Sequence, residues 1–437
     1  MYSGRVHHDK DVVDCYNVFN SSSCYECIDC QDGYALRYSR DSIGCSESQL
    51  LFDCRNCSKC VACVGLRNKK LHFLNKPIGE EEFQSIVLKL SSDRDFLNSV
   101  RKQFAVLRLH FPVKYAQVVK SVDSSGDRLN GCKNCKFSFD LSDCEDCTHL
   151  VIGGKNRNDC DVSYDDESEL SYEVMSAHQD YGCKFSSTVW FSRDVVCSQH
   201  CMSSDSLFGC NSVRHKQYCI LNKQYTKEEY EELAPRIIQH MNEMPYVDQK
   251  GRTYRYGEFF PPELSPFAYN ETIAQEHFPL AKEQAIAQGY RWRDPDTKQY
   301  TITKLPKDLP DHIKDVDDSI LKETIGCAHE GSCPHQCATA FKIIPEELAF
   351  YQRMNLPLPR LCPNCRYYER LSQRNPLKLW RRKCQCTGTK SEDGVYQNVV
   401  AHSHHGDGHC PNEFETSYAP DRKEIVYCEQ CYQAEVV

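Results

Sequence analysis

Apolar and polar positions recur along this chain with periods that belong to different elements. Phe83, Ile86, Val87 and Leu90 keep the i, i+3, i+4, i+7 spacing of a helix with one buried face. The pattern predicts a helix from about Glu80 into a longer amphipathic stretch near Phe104. A second helix is marked at its start, where Thr226 and Glu229 form a Thr-x-x-Glu capping box that satisfies orphan backbone N–H groups. Pro235 is expected to bend or end that segment. Around these helices the cysteines follow another rule. Cys24, Cys27 and Cys30 are three apart, as are Cys54, Cys57, Cys60 and Cys63. Period three fits neither a half-buried strand nor an α-helix. It predicts tight turns between very short strands, as in a coiled β-solenoid (β-helix) whose rungs stack like residues on like. Cys and Tyr would form interior ladders, and the helices would cap the coil.

The N-terminal half repeats itself. Gly65 to Phe83 aligns without a gap on Ser212 to Tyr230, sharing Arg67/Arg214, Lys69/Lys216, Leu74/Leu221, Asn75/Asn222, Lys76/Lys223, Glu81/Glu228 and Glu82/Glu229. Cys54 and Cys63 fall on Cys201 and Cys210, and Cys15 to Cys30 resembles Cys132 to Cys147. Such self-similarity is architecture before it is chemistry. We read residues 1–125 and 126–245 as two Cys-rich repeat modules with capping helices. Residues 246–326 form a Pro- and aromatic-rich connector, extended apart from one helix with Pro279 at its first position and Gly289 just past its end. Its Asn270–Thr272 sequon is a chance match. Residues 327–437 form a C-terminal module, in which Phe341 to Ile344 reads as a strand, Pro345 opens a helix and Leu356 to Leu361 returns extended. The fold class is α+β and β-rich, a two-module solenoid-like half followed by paired zinc-ribbon or treble-clef modules.

Composition narrows the function. The 437 residues are 40% hydrophobic and 26% charged, which is ordinary for a globular chain. Mean hydropathy is −0.62, and no apolar run approaches the roughly 18 residues of a membrane span. The first residues lack the apolar core of a signal peptide, so a cytoplasmic location is expected. A net charge of −9 argues against a globally cationic nucleic-acid packager. The chain has 29 cysteines, an odd number, so complete intrachain disulfide pairing is excluded. Many stand in C-x-x-C, which in a reducing compartment reads as metal binding or redox chemistry.

The strongest chemical signal is C-terminal. Cys333-x3-Cys337 followed by Cys362-x2-Cys365 offers four soft ligands for tetrahedral Zn²⁺, with Cys327 and His329 as alternates. A second set is Cys384 or Cys386, Cys410, Cys428 and Cys431, with His402, His404, His405 and His409 as competitors. Phe341 and Phe414 each stand four residues after a ligand, which suggests two copies of one knuckle. Catalytic zinc keeps an open position, whereas these sets offer four or more ligands and favour closed sites. About two Zn²⁺ per chain are therefore expected, with iron–sulfur the lesser choice. Cys54 to Cys63 approaches a ferredoxin run, but its last spacing is one residue short and Ser204 and Leu207 replace two of its cysteines in the second module. Cys132, Cys135, Cys144 and Cys147 form a candidate third site, set against small buried core residues. The acidic stretch from Asp159 to Glu173 lacks an EF-hand loop. No catalytic or cofactor-binding residue is assigned, and no small-molecule substrate is indicated. Between the zinc sets run Arg366, Arg370, Arg374, Lys378, Arg381, Arg382 and Lys383, interleaved with Tyr367, Tyr368 and Trp380. Cations with aromatic faces compose an RNA or single-stranded DNA surface, set against a solvated helix face.

The stretch from Phe341 to Cys384, the tail from Phe414 to Val437, Tyr256 to Leu280 and Asn222 to Leu233 together resemble cysteine-rich zinc-ribbon proteins common in candidate-phyla-radiation bacteria. Some of that group carry a CaiB/BaiF label, which implies acyl-CoA transfer; these residues contain no CoA-binding domain or assignable aspartate nucleophile. The reading is a non-enzymatic, zinc-stabilised binding or scaffold protein with a protein or nucleic-acid partner. The alternatives are an iron–sulfur or redox protein using the N-terminal cysteines, and a structural assembly protein.

Overall fold

The computed structural model describes residues 10–16, 22–294 and 300–436. The N-terminal half winds into two stacks of short parallel strands. In the first stack, Ser22–Tyr25, Tyr34–Arg37, Ser46–Phe52, Ser58–Val64 and Lys70–Phe73 lie side by side in chain order. Tyr34 pairs with Ser46 and Ser46 with Ser58, so each full turn takes twelve residues. The second stack keeps the same offset, Phe139 pairing with Val151, Val151 with Ser163, Ser163 with Met175, Met175 with Ser187 and Ser187 with Gln199.

Within each turn, every third residue takes a left-handed backbone. In the first stack Glu26, Asp29, Tyr38, Asp41, Asp53, Asn56, Lys59 and Ala62 have φ between 49° and 53°. Such a conformation costs a non-glycine residue about 1–2 kcal/mol and is best tolerated by Asp and Asn, which explains the recurring Asp-Cys and Asn-Cys pairs. The residue that follows points inward. Cys27, Cys30, Ser39, Ser42, Cys54, Cys57, Cys60 and Cys63 are all at most 1% exposed.

Hydrogen bonding explains why these inward residues are Cys and Ser. Two amides of each triplet join neighbouring turns, as in Arg40 N to Leu51 O (2.8 Å) and Asp41 N to Ile28 O (3.1 Å). The third amide, that of the inward residue, faces the interior, and in many turns a side chain about twelve residues back accepts it. Cys60 N donates to Ser48 Oγ (3.0 Å), Cys27 N to Cys15 Sγ (3.4 Å) and Ser198 N to Ser186 Oγ (3.1 Å). The same side chains donate to carbonyls, Ser186 Oγ to Lys184 O at 2.8 Å and Cys54 Sγ to Phe52 O at 3.5 Å. At these positions a small group that both donates and accepts serves, and Cys and Ser supply it; at other inward positions, such as Leu36, Leu51 and Leu207, the residue is apolar. Burial pushes the thiols of Cys27 and Cys183 up, which keeps them protonated for this role.

Both stacks end alike. Lys70–Phe73 turns back on Lys76–Pro77 before the helix Glu80–Ser92, and Gln217–Ile220 turns back on Lys223–Gln224 before Lys227–Glu243. Asn75 and Asn222 make these turns at φ of 62° and 67°. Each clamps a backbone of the preceding turn, Asn75 accepting from Val64 N and donating to Val64 O, and Asn222 doing the same to Asn211, all at 2.8 Å.

The helices differ from expectation in three places. The first breaks at Asp93, whose side chain accepts from Phe96 N (2.9 Å) and starts a separate helix, Arg94–Arg108. Pro235 neither ends nor divides Lys227–Glu243. That helix packs Leu233, Ala234, Ile237 and Ile238 with Phe208 and Ile220, and this burial outweighs the one lost hydrogen bond. Pro279 lies outside its helix, which is capped at Ala281 and runs Lys282–Gln288; Gly289 closes it at φ 94°. In the C-terminal module Ile325–Gly326 pairs with Ala340–Phe341, Pro345 stands at the first position of Pro345–Met354, and Trp380–Lys383 pairs with Glu413–Thr416. Val426–Tyr427 adds in parallel to Val113–Lys114, the strand that links the two stacks. Among the described residues, no helix is long and apolar enough to cross a membrane.

Two predictions follow from the interior. Replacing Ser186 by Val orphans the Ser198 amide and should cost about 1–3 kcal/mol in denaturant unfolding, whereas Ser186→Cys should stay within about 1 kcal/mol. The second stack also buries Asp159, Asp165 and Asp180, which burial pushes from 3.8 up to about 7, 6 and 8. The folded chain then holds protons that the unfolded chain has released, so this stabilisation is complete below about pH 4 and is lost as pH rises to about 8. Asp180→Asn should flatten the decline between pH 6 and 8 and stabilise the protein at pH 8; an unchanged slope would count against the buried carboxyl.

Candidate metal centres

The C-terminal module places its cysteines at the start of two short helices and on the strands that precede them. Cys362 caps the Pro363–Leu371 helix, and Cys428 immediately precedes Glu429–Val436. The first pair of strands sets Cys327 beside Thr339, with Cys327 N donating to Thr339 O at 2.8 Å. As a result Cys327, Cys337, Cys362 and Cys365 have their sulfurs within 4.8 Å of one another. Cys327 thus takes the place that spacing assigned to Cys333, because the Ile325–Gly326 strand carries it to the Cys337 side. Cys333 instead stands 3.5 Å from Cys365, grouped with His329 and His335.

In the second set the structure gathers Cys384, Cys410, Cys428 and Cys431, again within 4.8 Å. The two sets share their wiring. Cys362 N donates to Cys327 Sγ at 3.3 Å, and Cys428 N donates to Cys384 Sγ at 3.2 Å. Tetrahedral zinc with Zn–S of about 2.3 Å has sulfur–sulfur edges of about 3.8 Å. The observed Cys327–Cys365 and Cys410–Cys428 separations are both 3.8 Å, and Cys337–Cys362 is 4.0 Å. Hydrogen bonding from Cys327 lowers the Cys362 thiol to about 4, and hydrogen bonding from Cys384 lowers that of Cys428. Four convergent soft ligands with no open position can hold a metal ion structurally.

The remaining histidines divide. Cys386, His402 and His405 group with Cys431, as do His404 and His405 with Cys410 and Cys431. His409 stays exposed and directs Nδ1 to the Cys410 carbonyl at 3.0 Å. Sequence reasoning passed over His335; the alternation Cys333-x-His335-x-Cys337 was the available signal.

The basic segment is not the surface that its composition suggests. Arg366 and Arg370 are 4% and 3% exposed. Arg366 pairs with Asp14 and with Glu347 (3.2 Å), and Arg370 pairs with Asp14 (3.1 Å). Arg374 reaches Asp140 of the second stack at 2.7 Å and Tyr16 of the first at 2.9 Å, with its guanidinium 4.4 Å above the Tyr16 ring. The helix face read as a contact for phosphates is buried against carboxylates, which removes these three arginines from any nucleic-acid surface. Arg381 and Lys383 remain exposed, both facing Glu413. Arg382 packs its guanidinium against the Tyr418 and Ala419 carbonyls, and Lys378 lies 5.2 Å from the Trp380 ring.

Cys132, Cys135, Cys144 and Cys147 line two successive turns of the second stack, where Cys132 hydrogen-bonds with Cys135 and Cys144, and Cys135 with Cys147. Each also donates to a carbonyl, Cys147 to Glu145 O at 3.2 Å and Cys144 to Ser142 O at 3.4 Å. One turn further on, Asn156 and Asp159 occupy the same inward positions. These four serve the interior hydrogen-bond scheme of the stack.

No family model matches the chain, and no curated protein matches it. Among solved structures, a "putative acetyltransferase" from Desulfovibrio desulfuricans G20 is aligned over 57% of this chain and 70% of its own, at 8% identity and a TM-score of 0.11. Likeness at that level carries no argument about fold or activity.

Arg374→Ala removes one of the two guanidinium groups that pair with the buried carboxylates Asp29 and Asp140, the other being that of Arg128. It should cost about 3–5 kcal/mol in equilibrium unfolding, little changed between low and high salt. A loss below 1 kcal/mol, or one abolished by salt, would place this residue on an open surface.

Proposed function

We propose that this protein is a non-enzymatic scaffold whose two N-terminal stacks are β-solenoid modules locked together by a C-terminal pair of zinc-ribbon modules. The observation that carries this reading is the arginine row of the Pro363–Leu371 helix and the turn after it. Cys362 and Cys365 fix the start of that helix, and Arg366, Arg370 and Arg374 run from it into both stacks. The second four-sulfur set is tied down in the same way. Tyr432, one residue after Cys431, meets Asp53 and Arg67 of the first stack, and Lys114 of the linking strand pairs with Glu429 at 2.8 Å. A metal bound at either set would hold a helix whose side chains bridge the modules, so its binding free energy, on the order of 10 kcal/mol per site, becomes assembly free energy.

Closed sets of thiolates at tetrahedral spacing suit zinc, and iron in the same four-sulfur cage is told apart from it by the metal content below. All 29 cysteines are free thiols, which suits a reducing compartment, and we place the protein in the cytoplasm. The resemblance to zinc-ribbon proteins of candidate-phyla-radiation bacteria points the same way. The reading leaves out RNA and single-stranded DNA as partners, since three of the seven cations of the basic segment are taken up in buried pairs.

The purified chain should contain zinc without iron and show no visible absorption. Exhaustive chelation should lower the melting temperature by more than about 15 °C and open the segment around residues 109–117 to protease. A metal-free chain that melts unchanged and resists cleavage there would end this account, and a coloured, iron-loaded chain would favour the iron–sulfur alternative.

A further inference from the structure

We propose that each C-terminal centre is binuclear, with a second metal ion held beside the four-sulfur ion and the last cysteine of the C-x-x-C bridging the two. In the first centre the outer ligands are His329, Cys333 and His335 with Cys365 shared; in the second they are Cys386, His402 and His405 with Cys431 shared. The inference rests on the metal reading of the four-sulfur sets and extends it.

The donor atoms converge at coordination distances. Cys333 Sγ is 3.5 Å from Cys365 Sγ. In the second centre Cys386 Sγ is 3.3 Å from His402 Nδ1 and 3.6 Å from His405 Nε2, and His405 Nε2 is 3.3 Å from Cys431 Sγ. The edges of a tetrahedron around zinc are about 3.3–3.8 Å for mixed nitrogen and sulfur ligands. His404 Nε2 lies 3.3 Å from Cys431 Sγ and 3.7 Å from Cys410 Sγ, flanking the bridging sulfur.

The outward ring nitrogens decide how the inward ones are protonated. His402 Nε2 faces the buried Glu435 carboxylate at 2.8 Å, and His405 Nδ1 faces the Gly408 carbonyl at 2.9 Å. Both partners only accept, so the outward nitrogens carry the protons. In neutral rings His402 Nδ1 and His405 Nε2 therefore present lone pairs to each other across 3.1 Å. With two sulfurs facing the same point, a cation placed among these lone pairs satisfies all four donor atoms at once. Histidine that donates its far nitrogen to a carboxylate is also the usual arrangement of a metal ligand. Asn398 adds an amide donor to Cys386 Sγ at 3.2 Å, as an electron-rich sulfur requires. In the first centre His329 Nε2 stands 3.6 Å from Glu369, while Nδ1 of both His329 and His335 is buried without a hydrogen-bond partner.

The sequence repeats this design. Cys327-x-His329 matches Cys384-x-Cys386, and Cys362-x2-Cys365 matches Cys428-x2-Cys431. Each centre comprises five cysteines and two outer histidines. One divalent ion in four thiolates leaves two negative charges in a largely buried site, and a second ion with the fifth thiolate reduces this to one. Lower buried charge means a smaller desolvation penalty.

The test is metal counting by mass spectrometry on the full-length protein, with ¹¹³Cd NMR of the cadmium-loaded form. The wild type should carry four ions, with cadmium signals appearing as two coupled pairs. The double variants H329A/C333S and C386S/H402A should each lose one ion and one coupling while keeping both four-sulfur ions. A wild-type count of two with uncoupled signals overturns the proposal and leaves the four-sulfur reading standing. A count of four that neither variant changes also overturns it. A count of zero removes both readings.

Discussion

The inward-facing amide at every third residue is the constraint on which the N-terminal half depends. A chain that turns a corner each triplet cannot hide that N–H within its own ladder. Where it is received, the acceptor comes from the turn before and is small. Ser48, Cys15, Ser186 and Asp180 fill this requirement with three different functional groups. The abundance of cysteine follows from geometry, since a thiol is a hydrogen-bonding group no larger than the space allows. This also explains why Ser204 can stand where the first module has Cys57, its hydroxyl accepting from Lys216 N, while Leu207 at the position of Cys60 fills the interior by packing alone.

Cysteine therefore performs two unrelated tasks in one chain. In the stacks it is buried and surrounded by carbonyls. In the C-terminal module it sits at helix starts, accepts backbone amides and gathers in fours. The distinction is visible in how the sulfurs are placed. Cys54 Sγ donates to Phe52 O within the stack, whereas Cys327, Cys337, Cys362 and Cys365 converge within 4.8 Å of one another, as do Cys384, Cys410, Cys428 and Cys431.

Much of this was readable in the sequence. The period-three cysteines, the repeat joining Asn75 to Asn222 and the capping box at Thr226 carry local rules, and local rules survive without coordinates. The ligand exchange between Cys327 and Cys333 was not readable, because a two-residue antiparallel pairing decides it and such pairings leave almost no mark on composition. The fate of Arg366, Arg370 and Arg374 was hidden for another reason. Their carboxylate partners Asp14, Asp29 and Asp140 are hundreds of residues away, and charge counted within a window cannot see them. Pro235 shows a propensity overridden by burial.

The strand that joins the two stacks is completed from the far end of the chain. Val113 N donates to Ile425 O at 2.8 Å and Tyr115 N to Tyr427 O at 3.0 Å. During synthesis each stack can wind as it leaves the ribosome, turn upon turn, with only local contacts to find. The strand between them cannot be paired until residues 425–427 have been made. A nascent chain thus carries two wound spools on a tether whose strand stays unpaired until Val426 and Tyr427 have been made.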